Sequence, residues 1–181
     1  MNAEATLAAW TEEIDAVRQR MQNAGAHPGV ASPEQLRGKS GLQIMQAILA
    51  GELPYAHIAR TLDFALVQVD KGRAVFQGVP QMAHYNPMGT VHGGWYATLL
   101  DSALGCAVHS TLDPGQAYTT AEFGVHIVRA ATLQSGPLRA IGNVVHAGRR
   151  LATAEARIVG ADGRLYAHGS TTCLVFEGSP G

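Results

Sequence analysis

The sequence has few charged residues. Asp, Glu, Lys and Arg make up 15% of its 181 residues, whereas an average globular domain has about 25%. Thirteen basic and fourteen acidic residues give a formal net charge of -1, so no basic stripe is available for nucleic acid or anionic lipid. An apolar share of 46% excludes intrinsic disorder. So little charge on a small domain indicates surface that is buried against another copy of the chain.

Cysteines and long hydrophobic runs are also scarce. Cys106 and Cys173 lie among apolar neighbours and are expected to be small buried side chains in a reducing compartment. Residues 1–10 lack the basic and apolar regions of a signal peptide. The longest apolar stretch, residues 95–108, is short and is interrupted by Asp101, so no segment is expected to span a membrane. These features predict a cytoplasmic protein.

The sequence lacks the motifs that several common chemistries require. The eight histidines do not follow metal-ligand spacing, and there is no Cys/His cluster or HExxH helix. The GxSxG nucleophile elbow, the GxGxxG loop and the P-loop are absent from the sequence too. We therefore expect neither a metal nor a cofactor.

Hydrophobic periodicity indicates a helical N-terminal extension followed by a main domain that is rich in strands. The extension is predicted to contain an amphipathic helix over 4–22, a linker over 23–39 and a short helix over 41–50. After a helical turn over 55–61, the main domain is predicted to have strands over 62–70 and 73–79, a long helix over 92–110 and four strands over 117–128, 137–147, 151–160 and 164–176.

This order of elements predicts an α+β fold. Sequential strands joined by tight turns are antiparallel, and the long helix is too apolar to face water. The helix must therefore lie across one face of a curved antiparallel sheet. The first strand is apolar on both faces, so we expect it to be covered on both sides.

Two adjacent glycines, Gly93 and Gly94, stand where the long helix is predicted to begin. Each weakens a helix by about 1 kcal/mol relative to Ala. Without Cβ atoms, they would let a ligand reach the free amides of the first turn. Those amides and the helix dipole favour negative charge, such as that of an oxyanion. Alternatively, the glycines only let the helix pack closely against a strand.

Asp101 lies in the middle of this apolar helix. A carboxylate in such a setting is rarely buried unless it is paired or functional. Its neighbours on a helical projection are mostly small: Gly94, Ala97, Thr98, Leu104 and Gly105. Space is therefore left beside the carboxylate, and no Arg or Lys lies within one turn. We interpret Asp101 as functional, and a solvent-exposed Asp is the alternative.

The spacing of Gly93 and Asp101 restricts how they can act together. Eight residues of helix separate them by about 12 Å along the axis, so one carbonyl group cannot contact both in the same chain. If both serve one substrate, they must come from two chains related by a two-fold axis.

Other candidate residues have ordinary structural interpretations beside any functional ones. His92 could orient the loop or act as a base, or it could be a partly buried histidine bonded to backbone. Asn86 could donate to a carbonyl or to water, or could only form an Asn-Pro turn. Thr120 could bond only locally, and Arg149 and Arg150 could contact phosphates or form a solvated basic turn.

The pattern Asn86-(x)5-His92-Gly93-Gly94-(x)6-Asp101, followed by four strands, resembles the hotdog-fold acyl-CoA thioesterases. Within that family the sequence most resembles the PaaI-like, phenylacetate-pathway thioesterases, and the resemblance covers residues 62–176. It implies a thioesterase domain over residues 56–178 and leaves residues 1–55 as an N-terminal helical extension and linker. It implies a long helix wrapped by an antiparallel sheet. It also implies a homodimer in which two sheets join edge to edge, and association of dimers into tetramers.

The resemblance further implies roles in the hydrolysis of an acyl-CoA. Gly93 would give its backbone amide to the thioester oxygen, and the partner subunit's Asp101 would be the nucleophile or general base. Asn86 and His92 would position water, carbonyl or loop, and Thr120 would aid the water.

The sequence also suggests substrate-binding residues, and it leaves two alternative functions open. Gly94 is expected to bind substrate beside its neighbour, and Arg149 and Arg150 are candidates for the CoA phosphates. A hotdog hydratase or dehydratase on a thioester would need His92 to serve with the acid across the dimer. A non-catalytic acyl-CoA-binding protein would keep the cleft without releasing thiol.

Overall fold

The structure, a computed structural model, describes residues 2–178, so Met1 of the predicted extension lies outside the described residues. Within that range the helices are α1 (Ala3–Asn23), α2 (Pro33–Leu36), α3 (Gly41–Ala50), α4 (His57–Thr61) and α5 (Gly93–His109). The strands are β1 (Phe64–Asp70), β2 (Arg73–Gly78), β3 (Gln116–Ile127), β4 (Leu138–Ala147), β5 (Leu151–Gly160) and β6 (Leu165–Glu177). All the predicted elements are present, each with ends within two residues of the predicted ones.

The predicted linker over residues 23–39 is wrong in one part. Pro33–Leu36 form one helical turn, α2, because the Ser32 side chain accepts the amide of Gln35 and Pro33 suits the first helical position. This turn was missed because it is too short to show helical periodicity.

The strands form one antiparallel sheet in the order β1-β2-β4-β5-β6-β3. β1–β2, β4–β5 and β5–β6 are hairpins, as expected for sequential strands joined by tight turns. The third and fourth strands are not neighbours, however, so the connection between them is not a hairpin. β3 instead pairs with β6, from Gln116↔Glu177 to Ile127↔Ala167, and forms one edge of the sheet.

α5 packs across one face of this sheet, as predicted. Its Leu99, Leu100, Ala103 and Leu104 are fully buried, and each such leucine contributes about 1.5–3 kcal/mol by leaving water. The helix lies very close to β4, because a Cβ on Gly142 would stand 2.3 Å from the carbonyl oxygen of Ala103. The middle of the helix therefore packs directly against β4.

α1 covers the opposite face of the sheet at β1 and β2. Ile14 of α1 packs against Val67 and Val75, which confirms that β1 is covered on both sides. Glu13 of the same helix pairs with the buried Arg139 of β4 at 2.6 Å. Among residues 2–178, no helix combines the length and hydropathy needed to cross a membrane.

Candidate active site

His92 is the N-cap of α5. Its Nδ1 accepts the amide of Gly94 at 2.9 Å, and its backbone is extended. Because Nδ1 is the acceptor, the neutral ring carries its proton on Nε2. His92 therefore caps the first turn of the helix through a bond to backbone. The amide of Gly94 is engaged by this cap and is not open to a ligand.

Gly93 presents the open amide at this helix end. Its N–H donates to no group within the described part of the chain. A Cβ at this position would stand 3.2 Å from Cδ1 of Ile127, so the glycine serves close packing as well as access. An unpaired amide at a helix N-terminus is a site for negative charge.

Asn86 organises the loop that precedes α5. Its Oδ1 accepts the amides of Met88 at 2.9 Å and Thr90 at 3.3 Å, and its Nδ2 donates to Thr90 Oγ1 at 3.1 Å. The backbone amide of His92 donates to the carbonyl of His84 at 2.7 Å. Asn86 thus acts as a turn former, and one Nδ2 hydrogen is left for another partner.

Asp101 lies half-buried on α5 beside the edge strand β3. Oγ1 of Thr120 is 3.5 Å from its Oδ1, at the outer limit of a hydrogen bond. No Lys, Arg or His forms an ion pair with it among residues 2–178. Burial raises the pKa of Asp101, and the bond from Thr120 offsets part of this increase. A carboxylate with a raised pKa is a better base near neutral pH.

A chamber of about 660 Å³ reaches Asp101. Its α5 side also includes Ser102, Cys106 and His109, and Tyr118 of β3 lies beside them. Burial, and secondarily the charge of Asp101, raises the pKa of Cys106 to about 12, so this thiol stays protonated and is no rival nucleophile. These chamber residues were not predicted, although residues 102, 106 and 109 follow one another at the four- and three-residue spacing of a single helix face.

The structure brings the candidate residues together in two separate groups. Asn86, His92 and Gly93 lie at the start of α5, beside Ile127 at the end of β3. Asp101 lies two turns further along the helix, beside Thr120. The two groups do not meet within one chain, as the helical rise requires.

Arg149 and Arg150 are exposed in the turn between β4 and β5. The register pairs Leu151, the next residue, with Leu174 of β6, and Leu174 pairs with Thr119 of β3. The two arginines therefore lie at the sheet end that carries Thr120, about 10 Å and two strands away. No group of His, Cys, Asp or Glu side chains in the described range is arranged to hold a metal ion.

Comparisons with known proteins agree with this fold. A family model described as the thioesterase superfamily matches residues 88–167. A solved protein from the thioesterase superfamily is 33% identical, with a TM-score of 0.58, and the match covers 66% of this chain and 89% of that one. A phenylacetic acid degradation-related protein from Ralstonia eutropha JMP134 is 29% identical, with a TM-score of 0.65 and coverage of 71% and 97%.

The E. coli PaaI protein from the phenylacetic acid degradation operon shares the fold. It is 22% identical, with a TM-score of 0.66, and the match covers 76% of this chain and 94% of that one. No curated protein sequence matches this chain.

Proposed function

This chain belongs to the thioesterase superfamily and is a thioester hydrolase with a PaaI-like hotdog fold, and we propose that it cleaves an acyl-CoA to the free acid and CoA. The observation that carries the proposal is the half-buried Asp101 carboxylate, which has no cationic partner among residues 2–178 and stands beside the Thr120 hydroxyl. Such a group can attack a carbonyl or accept a proton from water.

Asp101 would start the reaction in one of two ways. As a general base, it removes a proton from water while the water oxygen bonds to the thioester carbon; the tetrahedral intermediate then expels the CoA thiolate, which takes up that proton. As a nucleophile, it forms an anhydride and releases the thiolate first, and water then cleaves the anhydride. Thr120 would hold the carboxylate or the water, as its 3.5 Å contact with Asp101 suggests.

The oxyanion would be stabilised by the open amide of Gly93 on the partner subunit. One well-placed donor is worth about 3–4 kcal/mol in such a reaction. The cap from His92 to Gly94 at 2.9 Å holds the first turn of α5 in place. Asn86 holds the loop before it, so this amide would need no rearrangement during the reaction.

A dimer through β3 would bring the two groups together. β3 is an edge strand of 12 residues, and long exposed edges are usually covered in native proteins. If two copies of β3 paired antiparallel about residues 123 and 124, Thr120 would lie opposite the partner's Ile127. Thr120 lies beside Asp101, and Ile127 lies beside Gly93. A two-fold axis would therefore create two equal sites, each with Asp101 of one chain near Gly93 of the other. Tetramer formation from such dimers stays a prediction.

Arg149 and Arg150 are proposed to contact the CoA phosphates. Both are exposed, and neither forms an ion pair within residues 2–178. Their position at the Thr120 end of the sheet supports this role. The hydratase alternative is less well supported, because Nδ1 of His92 is occupied by the helix amide and its other nitrogen carries the proton.

The test is thiol release from a panel of acyl-CoA substrates. Asp101→Ala should lose at least about 100-fold in kcat, as expected for a lost base or nucleophile, whereas Asp15→Asn on the exposed side of α1 should not. Dimer formation and circular dichroism would verify the variants. A folded dimeric Asp101→Ala with wild-type turnover would contradict the proposal. Hydration of enoyl-CoA would favour the hydratase, and binding without thiol release would favour the non-catalytic alternative.

A further inference from the structure

The chamber at Asp101 is closed on one side by the N-terminal extension. α5 forms the other side, and β1 with Phe76 of β2 forms its base. The extension contributes apolar side chains from α1, α3 and the segment before α4: Met21, Met45, Ile48, Leu49 and Tyr55. The chamber therefore connects the candidate base to a part of the chain that lies outside the matched family model, which begins at residue 88.

The interior of the chamber is suited to an apolar group. Phe64 and Leu66 line its base. The other charged residues of its lining are exposed or partly exposed to solvent: Arg18, Arg60 and Asp63. Burial lowers the pKa of His109, which keeps its imidazole neutral. The carboxylate of Asp101 is therefore the charged group at the reactive end, and apolar side chains continue from it.

The volume is much larger than a short acyl group requires. About 660 Å³ lies within the 300–1,000 Å³ range of pockets that enclose drug-sized ligands. Burial of an alkyl chain in such a space strengthens binding by about fourfold for each methylene. A chain that extends from the carbonyl at Asp101 would gain this contact, whereas an acetyl group would not reach it.

The N-terminal extension, which forms one wall of the chamber, is held in place by contacts within the chain. Nε of Arg20 on α1 donates to the carbonyl of Leu49 on α3 at 3.2 Å. The amide of Gly41 at the start of α3 donates to the carbonyl of Leu112 at 3.0 Å, just beyond the end of α5. A Cβ at Gly41 would stand 1.7 Å from the carbonyl oxygen of His109, so only glycine allows α3 to approach α5 this closely.

We propose that residues 2–55 are the acyl-specificity element of this chain. With α5 and β1 they form a preformed pocket that accepts long apolar acyl groups and favours them over short ones. This inference rests on the proposed function, in which Asp101 acts on an acyl-CoA.

The test compares two tryptophan substitutions on α3. Ile48→Trp fills the chamber, whereas Gln46→Trp adds the same ring on the exposed side of the same helix. For Ile48→Trp we expect the ratio of kcat/KM for dodecanoyl-CoA to that for butanoyl-CoA to fall by at least about tenfold. Gln46→Trp should leave this ratio unchanged. Leu49→Ala enlarges the space and should raise the ratio, which covers the case in which Ile48→Trp fails to fold.

Binding of dodecanoate, measured by isothermal titration calorimetry, separates this inference from the proposed function. If the wild type hydrolyses no acyl-CoA, the proposed function fails. The pocket is still supported if dodecanoate binds the wild type and Gln46→Trp but not folded Ile48→Trp. Equal binding to all three proteins, or to none, would overturn the inference. So would an equal loss of kcat/KM for both substrates in Ile48→Trp, because the chamber would then hold the pantetheine arm.

Discussion

Oγ1 of Thr120 lies 3.5 Å from Oδ1 of Asp101, across the gap between the edge strand and the central helix. The hydroxyl supports the ionised form of a carboxylate that burial would otherwise favour as the neutral acid. The pair depends on how α5 crosses β3, since 19 residues separate its members. This contact therefore links the fold of the sheet to the ionisation of the candidate base.

Thr120→Val is expected to move the acidic limb of the pH–rate profile to higher pH. The hydroxyl donates to the carboxylate and lowers its pKa, so its removal leaves only the burial that raises the pKa of Asp101. Because the reaction requires ionised Asp101, kcat/KM should decline at a higher pH than in the wild type. Thr119→Val, at the adjacent exposed position of β3, is the matched control. An unchanged limb in Thr120→Val would show that the hydroxyl does not act on this carboxylate.

Asp101→Asn is expected to stabilise the fold at neutral pH while it abolishes hydrolysis. A carboxyl whose folded pKa is raised binds protons more tightly in the folded state, so its ionisation weakens the fold as pH rises through that pKa. The neutral amide avoids this loss. The Tm of Asp101→Asn should exceed that of the wild type at pH 7, and the difference should disappear at low pH, where Asp101 is also neutral. Asp15→Asn should show no such pH-dependent gain, and a lower Tm for Asp101→Asn at pH 7 would contradict the assignment.

Local signals were enough to predict the strands and every helix except the single turn α2. α3 has its predicted bounds because Ser40 caps its start and Gly51, with φ of 83°, ends it in the left-handed region. The bounds of β5 also agree with the prediction. The neighbour of β3 could not be inferred in this way, because its pairing with β6 joins Gln116 to Glu177, far apart in sequence.

The sequence also predicted part of the candidate site. A carboxylate in an apolar helix and two glycines at its start are anomalies that a single sequence displays. The contact with Thr120 required the family resemblance, since it depends on a distant strand. The wall formed by Met45 and Ile48 was not predicted, because a side chain that faces a chamber and one that faces a packed core follow the same periodicity.

Glu13→Ala is expected to destabilise the protein by about 2 kcal/mol. Arg139 is only 5% exposed, and its guanidinium would lose its carboxylate partner at 2.6 Å. Loss of one member of a fully buried pair costs about 3–5 kcal/mol. A smaller value is expected here because Glu13 is one-third exposed and Gln77 still accepts from Arg139 at 2.8 Å. Urea unfolding measures the change, with the exposed Glu12→Ala as control. A similar midpoint for both variants would mean that the pair does not hold α1 on the sheet.

Mixing two inactive variants tests whether the site is built from two chains. Asp101→Ala removes the acid and Gly93→Val obstructs the amide, so neither homodimer would be active. In a heterodimer, however, one of the two sites keeps Asp101 from one chain and Gly93 from the other. Statistical exchange makes half of the dimers mixed, so unfolding and refolding an equal mixture should restore about a quarter of the wild-type activity. The same exchange with each variant alone is the control. If the mixture shows only the mean of the two separate activities, the carboxylate and the amide do not serve one substrate across the dimer.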